Sequence, residues 1–573
     1  MKRLILTNLK GNKSINKNSV ALGNWVNYEK MNCLNYHWSN KKKLVKDYKY
    51  LTKLSEKFLN FFTNNLNYIH QEKRSLKYWR IILSPWLNTY ISSMYDRWET
   101  INRLEKNKSS FTCDYLYNRK IFTNVGSFDY IRKVTSDDLW NHSNFIRIIK
   151  FKKLKKIILK KSYQSYIIKN YQEKKTKTSF IINFFDKIFS HISILINSTI
   201  IENFYISKKD YLNLCLSSYI FPGIFKNFFS SKNLYNCKIN NELRNKFFKY
   251  KSKKKDFSFF LFECLKEDFP VTYLENYQIL KSEICSKGFQ KKNIKKIFSM
   301  TSFIMNEVFK IWLANRVEHG AKFIIVSHGG CLNPKLNGYL NYFPKIADKV
   351  ITRKKPLTHK EIQMPIFLRE NPYQNLNEKK QKIYIFDCGP ANYPCKIQSW
   401  PFINDYKKIL RNTENLINYF SLKEKKNIFY RSLWTGKNIG VQIKKKIPSI
   451  NLCDFEKIKF KDIKNEIKLA ICMYPETVIV DLITSNIPTI LYIPKDLYLF
   501  DKNSLKMINY LKKNKLYFDN LKDLKSHLNI IKDSPYTWWT TRPTQTAIKK
   551  FQKHFFYVEQ NYIFKWKKLI RTI

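Results

Sequence analysis

The alternation of apolar and polar positions divides this chain into two kinds of territory. Lys2 to Thr7 reads as a first buried strand, and Asn32 to Tyr36 as another. Two long helical patterns follow, roughly Lys41 to Leu66 and Ser75 to Arg103. In the second, Trp79, Ile82, Leu83, Trp86, Tyr90, Met94 and Trp98 recur at helical spacing, and Pro85 is expected to bend or interrupt it. From about Thr135 to Lys266 the sequence is rich in Lys, Phe and Tyr and shows no clear strand alternation, which predicts a mostly helical insertion. Order returns with a helix over Thr272 to Ser286, a strand over Lys296 to Met300, a helix over Phe303 to Val317, and a strand over Ala321 to Val326 that runs into Ser-His-Gly-Gly at 327–330. Residues 352–380, rich in Lys, Glu, Pro and Asn, read as a linker. Beyond it, strands at Lys382–Phe386, Asn427–Arg431, Leu469–Met473 and Thr489–Ile493 alternate with helices at Ile403–Phe420 and Thr477–Thr484. That alternation predicts a parallel sheet covered on both faces. A last helix spans about Thr544 to Ile570.

Composition adds bounds. A chain of 573 residues with 44% hydrophobic and 16% aromatic content builds large cores and calls for more than one domain. The net charge of +61 invites a nucleic-acid reading. The excess is nevertheless spread along the whole chain and carried mainly by Lys rather than Arg, so no specific nucleic-acid partner is expected. Attraction to an anionic membrane surface fits better. Eleven cysteines without a CxxC pair suit a reduced, cytoplasmic setting. The start, MKRLILTNLKGNKS, has too short an apolar run for a signal peptide. The most apolar stretch, Phe180 to Ile206, is broken by Asn183, Asp186, Lys187, His191 and Asn197, so it reads as a buried or interfacial helix rather than a membrane span.

The segment Lys468 to Pro494 holds the clearest candidate chemistry. A strand ends in a turn at Met473 to Glu476, and a helix starts near Thr477 with Pro475 suited to its first turn. Amides at a helix start can hold a phosphate, and in an open parallel sheet such loops lie at the ligand-binding edge. Asp481, one turn after Thr477, faces the same way and could accept from a ribose. The same segment would equally serve as one more strand–helix–strand unit with Thr477 as its cap. Glu476 opposes a phosphate by its charge.

Several motifs together resemble a family of bacterial O-antigen and surface-polysaccharide transferases. They are Tyr36-His37-Trp38, Lys42-Lys43-Leu44, Tyr78-Trp79-Arg80, Pro85-Trp86, Tyr95-Asp96-Arg97-Trp98-Glu99, Asn306-Glu307-Val308-Phe309, His328-Gly329-Gly330, Ile346-Ala347-Asp348, Gln398-Ser399 and Asn486-Ile487-Pro488-Thr489-Ile490. The resemblance implies an α/β fold with two Rossmann-like domains facing a cleft, the GT-B arrangement, with the helical insertion in the N-terminal domain. The acceptor domain would span 1–351 with its insertion at about 135–266, the linker 352–380, and the donor-nucleotide domain 381–535, with 536–573 crossing back. It implies a nucleotide-sugar donor, a lipid-linked or polysaccharide acceptor, and no metal or other cofactor. Donor-binding roles would fall to Arg431, Tyr474, Glu476, Thr477 and Asp481, and acceptor contacts to His37, Trp38, Asp96 and Glu99. The sequence departs from the family at Lys10-Gly11-Asn12-Lys13, at Gly23-Asn24-Trp25-Val26, at Pro475-Glu476-Thr477-Val478, and at Asp481, where relatives carry Glu.

His328 follows a strand and precedes two glycines that permit unusual φ and close backbone approach. An imidazole there can act as general base on an acceptor hydroxyl, and a similar His-Gly pair occurs in glycerol-phosphate polymerases of cell-wall synthesis. Arg431, at a strand's carboxyl end, could neutralise a departing diphosphate, with Lys437 of Thr435-Gly436-Lys437 a weaker version of the same idea. Asp96 and Glu99 share a helix face and would also suit a surface ion pair. The expected activity is glycosyl transfer at the cytoplasmic membrane face. Polyol-phosphate transfer from a CDP-linked donor, nucleotide-sugar epimerisation, and non-catalytic binding to membrane or nucleic acid stay open beside it.

Overall fold

A computed structural model describes the chain except for residues 10–17, 27–31, 117–123, 163–179, 226–227, 236, 249–254, 287–292, 368–379, 398–400 and 434–438. The described residues form a mixed α/β protein with three parallel sheets. The first comprises β1 (Lys2–Ile5), β2 (Ser19–Ala21), β3 (Asn32–Cys33), β4 (Phe111–Leu116) and β5 (Ile157–Ser162), in the order β3-β2-β1-β4-β5. The second comprises β6 (Thr199–Glu202), β7 (Lys296–Ser299), β8 (Lys322–Val326), β9 (Lys349–Thr352) and β10 (Glu361–Gln363), in the order β10-β9-β8-β7-β6. The third comprises β11 (Lys382–Cys388), β12 (Ile428–Leu433), β13 (Asn451–Leu452), β14 (Ile467–Cys472), β15 (Thr489–Tyr492) and β16 (Tyr517–Phe518), in the order β13-β12-β11-β14-β15-β16.

Counted within its own unit, the third sheet runs 3-2-1-4-5-6, the doubly wound order. Strand order reverses between β11 and β14, whose register pairs Phe386 with Cys472. A crevice opens outside the carboxyl ends of strands at such a point because the connections leave β11 and β14 for opposite faces. The second and third sheets flank the large cleft of the molecule.

The stretch expected to be a mostly helical insertion contains helices, such as Phe180–Ile196 and Lys208–Ser217, but also β5 and β6, which belong to different sheets. β5 reads IILKKS and β6 only TIIE, so lysines and shortness conceal both from a periodicity window. The stretch read as a linker contains β10, paired in parallel with β9, and the rest of it, 368–379, lies outside the described residues. Pro85 sits inside a continuous helix, Leu76–Glu105, without interrupting it. That helix is buried around most of its circumference because the helices Lys41–His70, Ser127–Ser136, Asp138–Lys152 and Glu307–Glu318 pack around it, within a hydrophobic core that the first two sheets share. The helix expected over Phe303–Val317 breaks at Asn306, whose side chain caps Glu307–Glu318 by accepting from the Phe309 amide.

The predicted last helix is two, Arg542–Phe555 and Tyr562–Thr572. The second packs Tyr562, Trp566 and Ile570 against Ile201, Phe298 and Ile324 of the second sheet. The chain thus leaves the third sheet and ends on the second. The segment 389–397, which follows β11, also reaches away from its own sheet. Its Tyr393 ring lies 5.4 Å from Trp25, and its Pro394 carbonyl accepts from Arg97.

Candidate functional site

The cleft encloses about 1540 Å³ and is lined from both sides by loops at strand carboxyl ends. On the third sheet, the buried strand β14 gives way to Met473–Pro475, and the first helical residue is Thr477. The N-cap is Glu476, extended at φ −127° and ψ −163°, and its side chain makes no capping bond. Pro475 therefore precedes the helix rather than occupying its first turn, and Thr477 is the first helical residue rather than the cap. Thr477, Val478 and Asp481 all face the cleft, as the spacing of Thr477 and Asp481 implied. Tyr474 lines it too but is almost wholly buried.

On the second sheet, β8 ends at Val326 and continues as Ser327-His328-Gly329-Gly330. Ser327 is anchored by its amide to the Ile351 carbonyl at 2.8 Å. Gly329 and Gly330 adopt φ of +66° and +78°, a region that penalises side chains. A Cβ at Gly329 would lie 3.4 Å from Thr477 Oγ1, and one at Gly330 would lie 3.6 Å from Glu476 Oε2. The glycine loop thus abuts the start of the Thr477 helix from across the cleft. The Cys331 amide donates to the Pro475 carbonyl at 3.3 Å, a main-chain bond between the two sides.

That contact decides where Glu476 points. Its carboxylate accepts from the Gly330 N–H and lies in the field of Lys354 and Arg353, on the second-sheet side. Burial is the main influence on its acidity and raises the pKa to about 7, against the lowering effects of Lys354, Arg353 and the Gly330 amide. Lys354, whose Nζ donates to Asn333 Oδ1 at 2.9 Å, is shifted down, again chiefly by burial.

Because the folded-state pKa of Glu476 is above that of an exposed carboxyl, the folded protein binds the proton more tightly than the unfolded chain. The group therefore favours folding below its unfolded pKa, and this contribution is lost as pH rises towards about 7. Glu476→Gln mimics the protonated form at every pH. Its melting temperature relative to the wild type is expected to climb between pH 5 and pH 8, by an amount corresponding to about 1–3 kcal/mol. Differential scanning fluorimetry across that range measures it; a difference independent of pH would contradict the assignment.

Arg431 lies inside β12, which continues to Leu433, rather than ending the strand. It is 6% exposed, its Nη1 donates to Cys453 Sγ at 3.1 Å, and its guanidinium sits 4.9 Å from the Phe455 ring centre. These contacts hold it at the cleft wall, where both Arg431 and Phe455 are exposed to the space. His328 is exposed at the same cleft, with its ring 4.5 Å from that of Tyr205.

Five donor-side residues, both loop glycines and His328 thus converge on one space. The other four candidates do not. His37 and Trp38 are completely buried and Asp96 is 1% exposed. Trp38 Nε1 donates to Asp47 at 3.0 Å, His37 Nε2 lies 3.5 Å from Asp96, and Glu99 pairs with Lys43 at 2.8 Å. Burial is the main cause of the lowered His37 pKa and of the rise of Asp96 to about 6. These side chains belong to a polar cluster between the first sheet and its helices, not to the cleft wall. Thr435, Gly436, Lys437, Gln398 and Ser399 lie outside the described residues, as do Lys10–Lys13. Asn24 donates to the Asn404 carbonyl at 3.0 Å and so ties the end of β2 to the chain beyond β11.

Arg353 and Lys354, absent from the sequence-derived candidates, are the main addition. They follow β9 directly. Their run of basic residues, 353–355, resembles linker composition, and only the pairing of β9 with β8 and β10 marks it as a strand's carboxyl edge.

Facing parallel sheets with a cleft between them are the architecture that the sequence resemblance implied for a two-domain transferase. The chain belongs to the LIC12162 family of transferases, whose model matches residues 2–570. A search of curated proteins finds no match. Among solved structures, MurG from Acinetobacter baumannii is similar over 52% of this chain and 79% of its own, at 12% identity and a TM-score of 0.29. S. aureus MnaA, solved with UDP, is similar over 51% and 76%, at 8% identity and a TM-score of 0.28. WaaG, a glycosyltransferase involved in lipopolysaccharide biosynthesis, is similar over 52% and 96%, at 10% identity and a TM-score of 0.28.

Proposed function

We propose that this transferase moves a sugar from a nucleotide-activated donor to a surface-polysaccharide acceptor of the O-antigen or capsule type. The observation that carries the reading is the convergence on one cleft of Arg431 and the uncapped start of the Thr477 helix, from the third sheet, with Lys354 and His328, from the second. A diphosphate needs that combination of buried cations and outward amides. The cleft, at about 1540 Å³, exceeds the roughly 300–1,000 Å³ of an ordinary single-ligand pocket, which leaves room for donor and acceptor together.

In this reading Arg431, Lys354 and the amides near Thr477 hold the diphosphate, and Asp481 accepts from the ribose. Tyr474 shapes the wall behind them. His328 takes the proton from the acceptor hydroxyl as that oxygen attacks the anomeric carbon, and the nucleoside diphosphate departs with the bonding pair. Glu476 does not oppose the phosphates directly, because its carboxylate is drawn towards Gly330 and Lys354 and is half protonated near neutral pH. The donor is a substrate, so the reading calls for no resident cofactor or metal.

A thermal-shift screen of nucleotides and nucleotide-sugars tests this. One nucleotide class is expected to stabilise the protein by about 2–3 kcal/mol at a hundredfold excess over its Kd. Arg431→Ala and Thr477→Ala should reduce that shift. If no nucleotide stabilises the wild type, the donor assignment fails. Consumption of a nucleotide-sugar without acceptor, yielding an epimeric nucleotide-sugar, would instead establish the epimerase reading.

A further inference from the structure

The helix Phe180–Ile196 is built inside out. Its polar residues Asp186, Ser190, Ser193 and Asn197, spaced on one face, are buried, with Asp186 and Ser190 at 0% exposure. They are not buried by accident. Ser193 and Asn197 donate to the Phe221 carbonyl at 3.0 and 2.8 Å, and Ser190 Oγ accepts from the Phe225 amide at 2.9 Å. The helix is thereby fastened to segment 219–225 by hydrogen bonds, and its apolar side is turned outward. Phe184, Phe185, Ile188 and Ile196 are 53%, 48%, 36% and 63% exposed. A helix of a soluble domain normally shows the reverse arrangement.

The segment bonded to this helix carries exposed apolar groups of its own. Tyr219 is 85% and Ile224 47% exposed, and Leu216, at the end of the preceding helix Lys208–Ser217, is 64% exposed. Exposed apolar surface of this kind marks a place where something docks. The basic residues beside it say what. Lys187 lies exposed on the inverted helix, Lys208 and Lys209 are exposed at the start of the next, and Arg571 sits 4.3 Å from the Tyr219 ring. The whole chain carries +61. Apolar side chains flanked by lysines, on a strongly cationic molecule, complement an anionic bilayer, into which the apolar groups insert while the cations meet the headgroups.

We infer that the outward face of Phe180–Ile196, with Leu216 and Tyr219, is a docking surface for an anionic lipid membrane. Among the described residues no helix is long and apolar enough to cross a membrane, and this surface requires none. It belongs to the same sheet as the candidate base: β6 leads to Tyr205, whose ring lies against His328, and then directly into the Lys208–Ser217 helix. Docking would bring the His328 side of the cleft near the lipid surface. Resting on the proposed function, this selects a lipid-linked acceptor over a free polysaccharide.

Flotation of the full chain with phosphatidylcholine vesicles, with and without phosphatidylglycerol, tests the surface without any donor, so its failure would leave the transferase reading standing. The wild type is expected to float with the anionic vesicles. The variant Phe185→Ser/Ile188→Ser/Ile196→Ser should lose about tenfold or more of that binding while keeping its melting temperature, because all three side chains are already exposed. Should that variant be unstable, Phe184→Ser/Ile196→Ser removes the two most exposed groups of the helix. Lys187→Glu/Lys208→Glu/Lys209→Glu should weaken binding and flatten its salt dependence. A wild type that does not float overturns the inference. So does an apolar variant that floats like the wild type, since attraction would then be diffuse charge. A wild-type dimer in light scattering that the apolar variant dissolves also overturns it, because the face would then be covered by a second copy.

Discussion

Turnover falls by about 10²–10⁴-fold in His328→Ala, the usual contribution of a general base, while nucleotide-induced stabilisation stays close to that of the wild type. The separation follows from the geometry. His328 stands on the second-sheet wall, at the carboxyl end of β8, and of the diphosphate ligands proposed above Arg431 and the amides near Thr477 belong to the third sheet, with only Lys354 reaching in from the second. The imidazole touches the Tyr205 ring rather than the core, so its loss should leave the fold intact. Steady-state kinetics with the donor identified by thermal shift give the readout, with kcat falling and donor KM nearly unchanged. The pH profile adds a second one. Burial raises Glu476 to about 7, within the working range, so Glu476→Gln should remove its part of the dependence. Turnover in His328→Ala within about threefold of the wild type would show that the acceptor proton leaves by another route.

The largest effect on stability is expected from Arg97→Ala. Arg97 is wholly buried. Its Nη1 donates to Asp96 Oδ2 at 2.9 Å and to the Pro394 carbonyl, and its Nη2 donates to Asn141 Oδ1 at 2.8 Å and the Val134 carbonyl at 3.1 Å. Truncation would leave Asp96 without its partner cation and several buried acceptors unsatisfied. Removing one member of a buried ion pair typically costs about 3–5 kcal/mol. A fall in melting temperature of about 2–4 °C is the expected result for a protein of this size. Asp96→Asn should be milder, because Arg97 can still donate to the amide oxygen while the amide nitrogen donates to the Tyr36 hydroxyl, and the double variant should cost less than the sum of the two. Because Arg97 holds Pro394, the single variant should also open segment 389–397 to limited proteolysis. A variant that melts with the wild type would mean that the cluster relaxes around the gap.

These residues show how a motif can be legible and its meaning not. Tyr-Asp-Arg-Trp-Glu at 95–99 stands out in the sequence because it gathers charges on a helix. Local rules offer only an exposed pair or a ligand contact for such residues. Burial from three sides makes it a structural knot instead, and no spacing in the sequence announces that Pro394, some three hundred residues later, will accept from Arg97. The run 353–355 was misread for the opposite reason. Basic residues suggest solvent, yet here they follow a short strand whose pairing turns Arg353 and Lys354 towards Glu476.

What the sequence determined by itself is the four longer strands of the third sheet and the helix at Thr477. Their apolar runs are long and buried on both faces, so strand and helix periods are both visible, and the helix ends at the predicted Thr477 and Thr484. The adjacency of His328 and two glycines likewise announced a loop with unusual φ, and both glycines have it. The tertiary structure alone decided the rest. Strands as short as β2, β6 and β10 exist because neighbours supply their hydrogen bonds, so a three-sheet molecule lies behind what reads as two domains and an insertion. The same holds for Glu476. From the sequence it is a negative charge placed where a phosphate should go. In the folded protein a Gly330 amide and the Lys354 ammonium, brought from the other side of the cleft, draw it aside and leave the helix start open.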